Sequence, residues 1–169
     1  MTTAKTLLQL AGADLTPPRL ADAALVLIDI QNEYLAGPLA LPDARPAIAR
    51  AAALLAKARA ANAAIIHIAH RGKSGSLFDR SADRGAIVAE LTPHAGELVI
   101  EKELPNSFAG TDLKARLDAI DRKNIVLAGF MTHMCVSSTA RAALDLGFRT
   151  TIDADACATR DLPDGRGGT

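Results

Sequence analysis

The sequence is poor in the features that mark several large classes of protein. It has 19 basic and 19 acidic residues and no basic run, so neither a nucleic-acid surface nor a polybasic membrane patch is expected. Its two cysteines are too few for a disulfide framework or a cysteine metal cluster. No segment is long and apolar enough to span a bilayer, and the N-terminus lacks the continuous apolar core of a signal peptide. We therefore expect a cytoplasmic protein that binds neither nucleic acid nor membranes.

Aromatic residues are also scarce, at 3% of the chain, although 49% of it is hydrophobic. Alanine, leucine, valine and isoleucine must therefore fill the interior. At 169 residues the chain is long enough for one domain with a sizeable core. We expect a leader over residues 1–22, in which Pro17 and Pro18 stop a short helical stretch, and a single domain over residues 23–169.

Short apolar segments alternate with amphipathic ones along that domain. The apolar segments have the length of strands, at residues 23–28, 63–69, 98–100, 125–128 and 148–153. Helices are expected over residues 48–61, with Asp43 as the N-cap, and over residues 112–120 and 136–146. Because strands and helices alternate, we predict an α/β fold: a three-layer α/β/α sandwich around a mainly parallel, Rossmann-like sheet with five visible strands.

Chemically useful side chains follow three of the predicted strands. Asp29 comes directly after the first, Lys102 follows the third, and Cys135 lies in the turn after the fourth. In a parallel sheet the carboxyl ends of the strands lie along one edge, where open α/β folds bind ligands. A carboxylate there can take a proton from a thiol, and a lysine between them would offset their repulsion. Each residue alone also allows a plainer role, Asp29 as a helix cap and Lys102 on a solvated face.

Cys135 lies at or next to the first turn of the helix expected over residues 136–146. Backbone N–H groups and the positive end of the helix dipole favour a thiolate there, and a thiolate is a nucleophile. On position alone a small buried hydrophobe is an equal alternative, since most free cysteines are of that kind. The second cysteine, Cys157, is interpreted as structural and is expected in the loop after the fifth strand.

Three strings of the sequence resemble the isochorismatase-like cysteine hydrolase superfamily, in content and in order. They are LVLIDIQNEYL, VIEKELPNSFAGTDL and VLAGFMTHMCVSSTARAALDLGF, and the resemblance extends over residues 24–161. It implies a catalytic triad of Asp29, Lys102 and Cys135. The implied reaction is the hydrolysis of an amide-type C–N bond in a small molecule through a thioester on the cysteine.

The same resemblance implies a non-proline cis peptide between Phe130 and Met131, in the turn before the cysteine. It further implies an oxyanion hole formed by the N–H groups of Met131 and Cys135. Relatives of the nicotinamidase type carry a metal site with an Asp-x-His pair, which this sequence lacks. We therefore expect no cofactor and no catalytic metal.

Two other functions remain open on the sequence alone. Isochorismatases of the same superfamily hydrolyse a vinyl ether, which needs Asp29 and Lys102 more than a thiol. A non-catalytic binding or assembly protein on the same scaffold would carry an unreactive Cys135. The presence of all three residues of the triad favours an enzyme.

The sequence does not name the substrate, but it suggests which residues contact it. Tyr34 matches the position of an aromatic residue that usually lines the substrate site in the family. Phe108 and His133 are further candidates, with a core aromatic and a structural turn residue as the plainer alternatives. Asn32 and His70 are candidates for polar contacts.

Relatives continue with another helix and a sixth strand after the position that matches Asp161, and this sequence ends without them. Either the sequence is shortened, or an unusual strand edge is left open together with an uncovered apolar face of the sheet. Because such surfaces favour association, we expect a homo-oligomer, either a dimer or a tetramer, that acts on a small molecule.

Overall fold

Residues 4–168 are described by a computed structural model, and at their centre is a sheet of five parallel strands in the order β3-β2-β1-β4-β5. The strands are β1 (Ala23–Ile28), β2 (Ala64–His70), β3 (Leu98–Lys102), β4 (Asn124–Phe130) and β5 (Arg149–Ala158). The helices are α1 (Leu7–Leu10), α2 (Ala44–Ala60), α3 (Leu113–Ala119) and α4 (Ser137–Asp145), and a π-helical turn over Thr132–Val136 connects β4 to α4. None of the four helices has the length and apolar character needed to cross a membrane.

Helices cover both faces of this sheet. Successive residues of β1 point to opposite faces, so that Leu25 and Leu27 pack in the layer of α2 while Val26 and Ile28 pack in the layer of α3 and α4. Four of the six buried residues of α2 are alanines, which let the helix lie close to the sheet. The predicted three-layer α/β sandwich is confirmed.

The strand order changes direction beside β1. The chain places β2 and β3 on one side of β1 and then returns to place β4 and β5 on the other. At such a switch point the two connections leave in opposite directions, and a crevice opens at the carboxyl ends of the two central strands. Asp29 directly follows β1, and Cys135 lies in the turn after β4. The topology therefore brings these two residues to the same crevice.

Several element boundaries differ from the sequence prediction. α2 begins at Ala44, directly after the expected N-cap Asp43, and Pro46 lies in its first turn, where proline is tolerated. Asp43 occupies the N-cap position, but its side chain makes no capping hydrogen bond. β5 extends to Ala158 and contains Cys157, which was expected in a loop. The reason is that β5 continues beyond a shift in register, where Cys157 pairs with Gly129 of β4.

Gly129 provides a test of how closely β1 and β4 must approach. Its φ is +134°, and a Cβ at this position would lie 2.0 Å from the carbonyl oxygen of Ile28. We expect Gly129→Ala to lower the free energy of unfolding by about 3 kcal/mol or more, because the backbone of β1 must move. Urea-induced unfolding at neutral pH measures this loss.

Gly147→Ala is the matched control. Gly147 also has a positive φ, of +82°, but a Cβ there would meet nothing within 4 Å. Only the cost of a left-handed backbone, about 1–2 kcal/mol, is expected. Equal losses in the two variants would contradict the steric explanation for Gly129.

Candidate active site

Asp29 and Lys102 meet at the carboxyl edge of the sheet. The Nζ of Lys102 lies 2.6 Å from the Oδ2 of Asp29, and both side chains are completely buried. Their strands are separated by β2, roughly 10 Å of sheet width, which the two side chains close together. Asp29 adopts a left-handed backbone conformation with φ of 52°, which aspartate tolerates better than most residues, and its N–H donates to the carbonyl of Ile68 at 2.9 Å. The turn that follows β1 thus begins at the carboxylate itself.

Cys135 lies in the π-helical turn and is 6% exposed. Its thiol contacts the carboxylate of Asp29 and the ammonium of Lys102. Burial, together with the negative charge of Asp29, raises the pKa of Cys135 to about 11. The sequence analysis expected a helix N-terminus to favour the thiolate, but α4 begins only at Ser137, two residues after Cys135. Burial and the carboxylate instead favour the protonated thiol.

The carboxylate of Asp29 is also shifted. Burial raises its pKa, although the charge of Lys102 and the contact with Cys135 act in the opposite direction. The contacts in this group are close but not directional. Among residues 4–168, neither oxygen of Asp29 nor the Nζ of Lys102 has a partner at hydrogen-bonding angles. The oxygens of Asp29 and the Nζ of Lys102 can therefore still form hydrogen bonds with good geometry at the centre of the site.

The turn that carries Cys135 is tied to the sheet at its start. It starts at a cis peptide bond between Phe130 and Met131, at the position that the family resemblance implies. The Oγ1 of Thr132 donates to the carbonyl of Ala158 at 3.1 Å and so ties the turn to the end of β5. That the N–H groups of Met131 and Cys135 form an oxyanion hole stays a prediction.

Tyr34 lies beside the site, where the sequence places it. Its buried ring makes edge-to-face contacts with Phe130 at a centroid distance of 5.5 Å and with Phe78 at 5.2 Å. Burial raises the pKa of Tyr34, and the negative charges of Asp29 and Cys135 add to this effect. The phenol therefore stays protonated and can donate a hydrogen bond.

His70 also borders the site, as the last residue of β2. It pairs in register with Lys102 of β3, and its ring makes an edge-to-face contact with Phe78 at 5.0 Å. Burial, together with the charge of Lys102, lowers the pKa of His70, so the imidazole is neutral at neutral pH. Among residues 4–168, no group of three or more His, Cys, Asp and Glu side chains is arranged to hold a metal ion.

Phe108 and His133, two other predicted substrate contacts, have partners elsewhere. Phe108 stacks on Phe148 with the ring centroids 5.7 Å apart, in the layer of α3 and α4. His133 is exposed and hydrogen-bonds through its Nδ1 to the hydroxyl of Thr159. These contacts agree with a core aromatic and a structural turn residue, and a role of either side chain in substrate binding stays a prediction.

The polar segment after β1 binds the loop over residues 72–85. The amide of Asn32, a predicted substrate contact, donates to the carbonyl of Asp83 at 3.0 Å. Gln31 is fully buried, and its amide donates to the carbonyls of His70 at 3.0 Å and Gly85 at 2.7 Å. The N–H of His70 donates back to Gln31 at 2.8 Å. Asn32 and Gln31 thus hold the surroundings of the site together.

Glu33 is a buried carboxylate that the sequence analysis missed. The guanidinium of Arg84 donates to it through Nε at 2.6 Å and Nη2 at 2.7 Å, and the N–H of Phe78 donates to it at 3.2 Å. The hydrogen bonds from Arg84 hold the pKa of Glu33 below its usual range. Its place in the polar run directly after β1 was the available signal, but no spacing in the sequence pointed to Arg84 as its partner.

Comparison with known proteins places these residues in a family context. Residues 23–166 match the isochorismatase domain family. A secreted isochorismatase effector of Verticillium dahliae is 41% identical, over 87% of this chain and 80% of its own. A maleamate amidohydrolase of Pseudomonas putida is 31% identical, over 76% of this chain and 68% of its own. The crystal structure of an isochorismatase from Pseudomonas putida superposes with a TM-score of 0.93 at 42% identity, covering 98% of this chain and 85% of that one.

The buried ion pair leads to a test of stability. We expect Lys102→Met to lower the free energy of unfolding at pH 7 by about 3–5 kcal/mol, because it leaves the buried Asp29 without a counterion. This loss should shrink as the pH falls toward about 4, since a protonated Asp29 needs no counterion. Urea-induced unfolding between these pH values measures both effects.

Lys114→Met serves as the control, because Lys114 forms an exposed ion pair with Asp118 in α3. Its expected cost is about 0–1 kcal/mol. A cost for Lys102→Met as small as that of the control would show that the buried pair does not need its lysine.

Proposed function

The chain belongs to the isochorismatase family and is a hydrolase, and within this family we propose that it is a cysteine amidohydrolase. In this proposal it cleaves the C–N bond of a small amide through a thioester on Cys135. The contact of the Cys135 thiol with both Asp29 and Lys102, in the crevice between β1 and β4, is the observation that carries the proposal. The similarity to a maleamate amidohydrolase supports an amide as the bond that is cleaved.

The first step transfers the thiol proton to Asp29. Because the pKa of Cys135 is about 11, the thiol carries its proton before the substrate arrives. Burial raises the pKa of Asp29, and a carboxylate with a raised pKa is a stronger base than an ordinary aspartate. As the sulfur attacks the carbonyl carbon, its proton passes to Asp29 and the carbonyl oxygen becomes negative. The N–H groups of Met131 and Cys135 would then bind this oxyanion.

In the steps that follow, Asp29 first gives up the proton that it took from Cys135 and then accepts a second proton from water. Asp29 gives the first proton to the leaving nitrogen, the C–N bond breaks, and an amine or ammonia departs while the acyl group stays on Cys135 as a thioester. A water molecule that gives a proton to Asp29 then attacks the thioester. The acid leaves, and the proton on Asp29 returns to the sulfur. One carboxylate thus serves as base and acid in turn.

Lys102 favours the ionised form of Asp29, which is the form that can accept a proton. Full burial favours the protonated form of Asp29, and a protonated Asp29 accepts no proton from Cys135. The ammonium at 2.6 Å favours the carboxylate form, and it also lowers the cost of negative charge on the sulfur. Lys102 therefore acts on both partners of the proton transfer without exchanging a proton itself.

Hydrolysis of a vinyl ether is a second candidate, which one feature of the site favours. A buried carboxyl group with a raised pKa is suited to protonate the carbon of a vinyl ether. In that reaction Asp29 and Lys102 are needed, whereas Cys135 forms no bond to the substrate.

Substitution of the thiol separates the two candidates. For an amidohydrolase, Cys135→Ala should reduce ammonia release from small amides by about three orders of magnitude or more, because the nucleophile is lost. Its circular dichroism spectrum and unfolding midpoint should stay close to those of the wild type. Cys157→Ala is the control and should retain activity, since Cys157 lies in β5 and is no part of the site.

Amide hydrolysis that persists in Cys135→Ala would rule out the thioester mechanism. Persistence of vinyl-ether hydrolysis, with no amide hydrolysis in either protein, would favour the second candidate. A wild-type protein that turns over neither substrate class and whose thiol is inert would indicate a binding protein.

Substitution of the base should move two measurements in opposite directions. Because the carboxylate raises the pKa of Cys135, Asp29→Asn should lower that pKa and speed alkylation of the thiol by iodoacetamide at pH 8. At this pH, a pKa of about 11 leaves only about one thiol in a thousand ionised in the wild type. Amide hydrolysis should nevertheless fall, since the base is gone.

The alkylation rate is read from the mass of the peptide that contains Cys135, and the unfolding midpoint of the variant is measured alongside. Asp153→Asn is a control in β5, away from the crevice, and should change neither assay. If alkylation and hydrolysis both slow in Asp29→Asn, the carboxylate does not act on the thiol as proposed.

A further inference from the structure

Phe78 has a backbone conformation that its residue type rarely adopts. Its φ is 60°, in the left-handed region, where a bulky side chain is an outlier. Such a conformation costs of order 1–3 kcal/mol and persists where the surrounding contacts enforce it, often at ligand sites. The position of this ring is therefore imposed by its neighbours.

Two sets of contacts hold Phe78. Its N–H donates to the buried carboxylate of Glu33 at 3.2 Å, and Arg84 fixes that carboxylate with two further hydrogen bonds. Its ring lies between those of Tyr34 and His70, at interplanar angles of 60° and 65°. The backbone of Phe78 is thus held by an ion pair and its ring by two aromatic edges.

The two rings that Phe78 contacts border the proposed catalytic group from different strands. Tyr34 follows β1, and the charge of the nearby Asp29 adds to the effect of burial in raising the Tyr34 pKa. His70 ends β2 and pairs with Lys102. Phe78 is 9% exposed and comes directly after the exposed residues 73–77, whereas the side chains of Asp29 and Lys102 are completely buried. A substrate must reach a cysteine that is itself only 6% exposed.

We propose that Phe78 is the specificity-determining residue of the site: its ring closes the approach to Cys135 between Tyr34 and His70 and limits the acyl group that can enter. The proposal rests on the amidohydrolase function proposed above. Three aromatic rings favour an apolar acyl group, and the small exposed fraction of Cys135, 6%, favours a compact one. The substrate class is therefore a small amide with a compact, apolar acyl group.

The test removes the ring without straining the backbone. Glycine adopts positive φ freely, so Phe78→Gly deletes the side chain and relieves the unfavourable conformation. The measurement is the ratio of kcat/KM for 3-phenylpropionamide to kcat/KM for propionamide. We expect this ratio to rise by at least about tenfold, the usual worth of a change in pocket size. Phe78→Tyr, which keeps the ring, should restore the wild-type ratio.

Leu77→Ala is the matched control. Leu77 is the neighbour of Phe78 in the same loop, is 37% exposed, and should leave the ratio unchanged. If Phe78→Gly slows both amides equally, the ring serves packing only and the proposal is overturned. If Phe78→Gly fails to fold, Phe78→Leu decides by the same ratio, because leucine fills part of the space without presenting a ring.

A second readout needs no turnover and so separates this proposal from the proposed function. Cys135 is alkylated with iodoacetamide or with the bulkier N-benzyliodoacetamide, and trypsin then releases it in the peptide of residues 124–141, apart from Cys157 in residues 150–160. In Phe78→Gly we expect the rate with the bulky reagent, relative to the small one, to rise by at least about tenfold. An unchanged relative rate overturns the gating role. A changed relative rate in a protein that hydrolyses no amide retains the gate and rejects the amidohydrolase.

Discussion

The structure depends on a carboxylate and an ammonium that share a site with no exposed surface. Removing two charges from water costs several kcal/mol for each ion, and their attraction offsets this cost only at close range. The 2.6 Å contact between Asp29 and Lys102 meets that condition, but only while β1, β2 and β3 keep their register. The parallel pairing of three strands is therefore a condition for the charge state of the proposed base. The ion pair between Asp29 and Lys102 therefore links the pairing of these strands to the charge of the proposed base.

The few aromatic residues of the chain are distributed unevenly. The sequence has four phenylalanines and one tyrosine. Three of these five, Tyr34, Phe78 and Phe130, form a continuous series of edge-to-face contacts beside the crevice. Alanine and branched aliphatic side chains make up most of the packing between the sheet and its helices. Most of the rigid, bulky rings thus lie beside the site to which the proposed function assigns the substrate.

Much of this arrangement could be predicted from the sequence. The apolar run of β1 ends at Ile28 as predicted, and alternation of elements was sufficient for the sheet and for the meeting of Asp29, Lys102 and Cys135 at one edge. What could not be predicted depends on contacts between distant segments. The pair of Glu33 and Arg84 joins residues 51 positions apart, and the ring position of Phe78 follows from it. The inclusion of Cys157 in β5 likewise depends on a register shift that no local pattern signals.

The electrostatics of the site bear on when the nucleophile is formed. Burial and the charge of Asp29 raise the pKa of Cys135 to about 11, so the proton stays on the sulfur before a substrate binds. Burial also raises the pKa of Asp29, while the ammonium of Lys102, 2.6 Å away, acts in the opposite direction. A buried thiol in this state is a poor target for oxidants and alkylating agents, which react with thiolates. A carbonyl carbon beside the sulfur changes this balance, because the negative charge then moves to the carbonyl oxygen and not to the thiolate. In the proposed mechanism, proton transfer and attack are therefore coupled, and the nucleophile forms only in the presence of the bond that it would cleave.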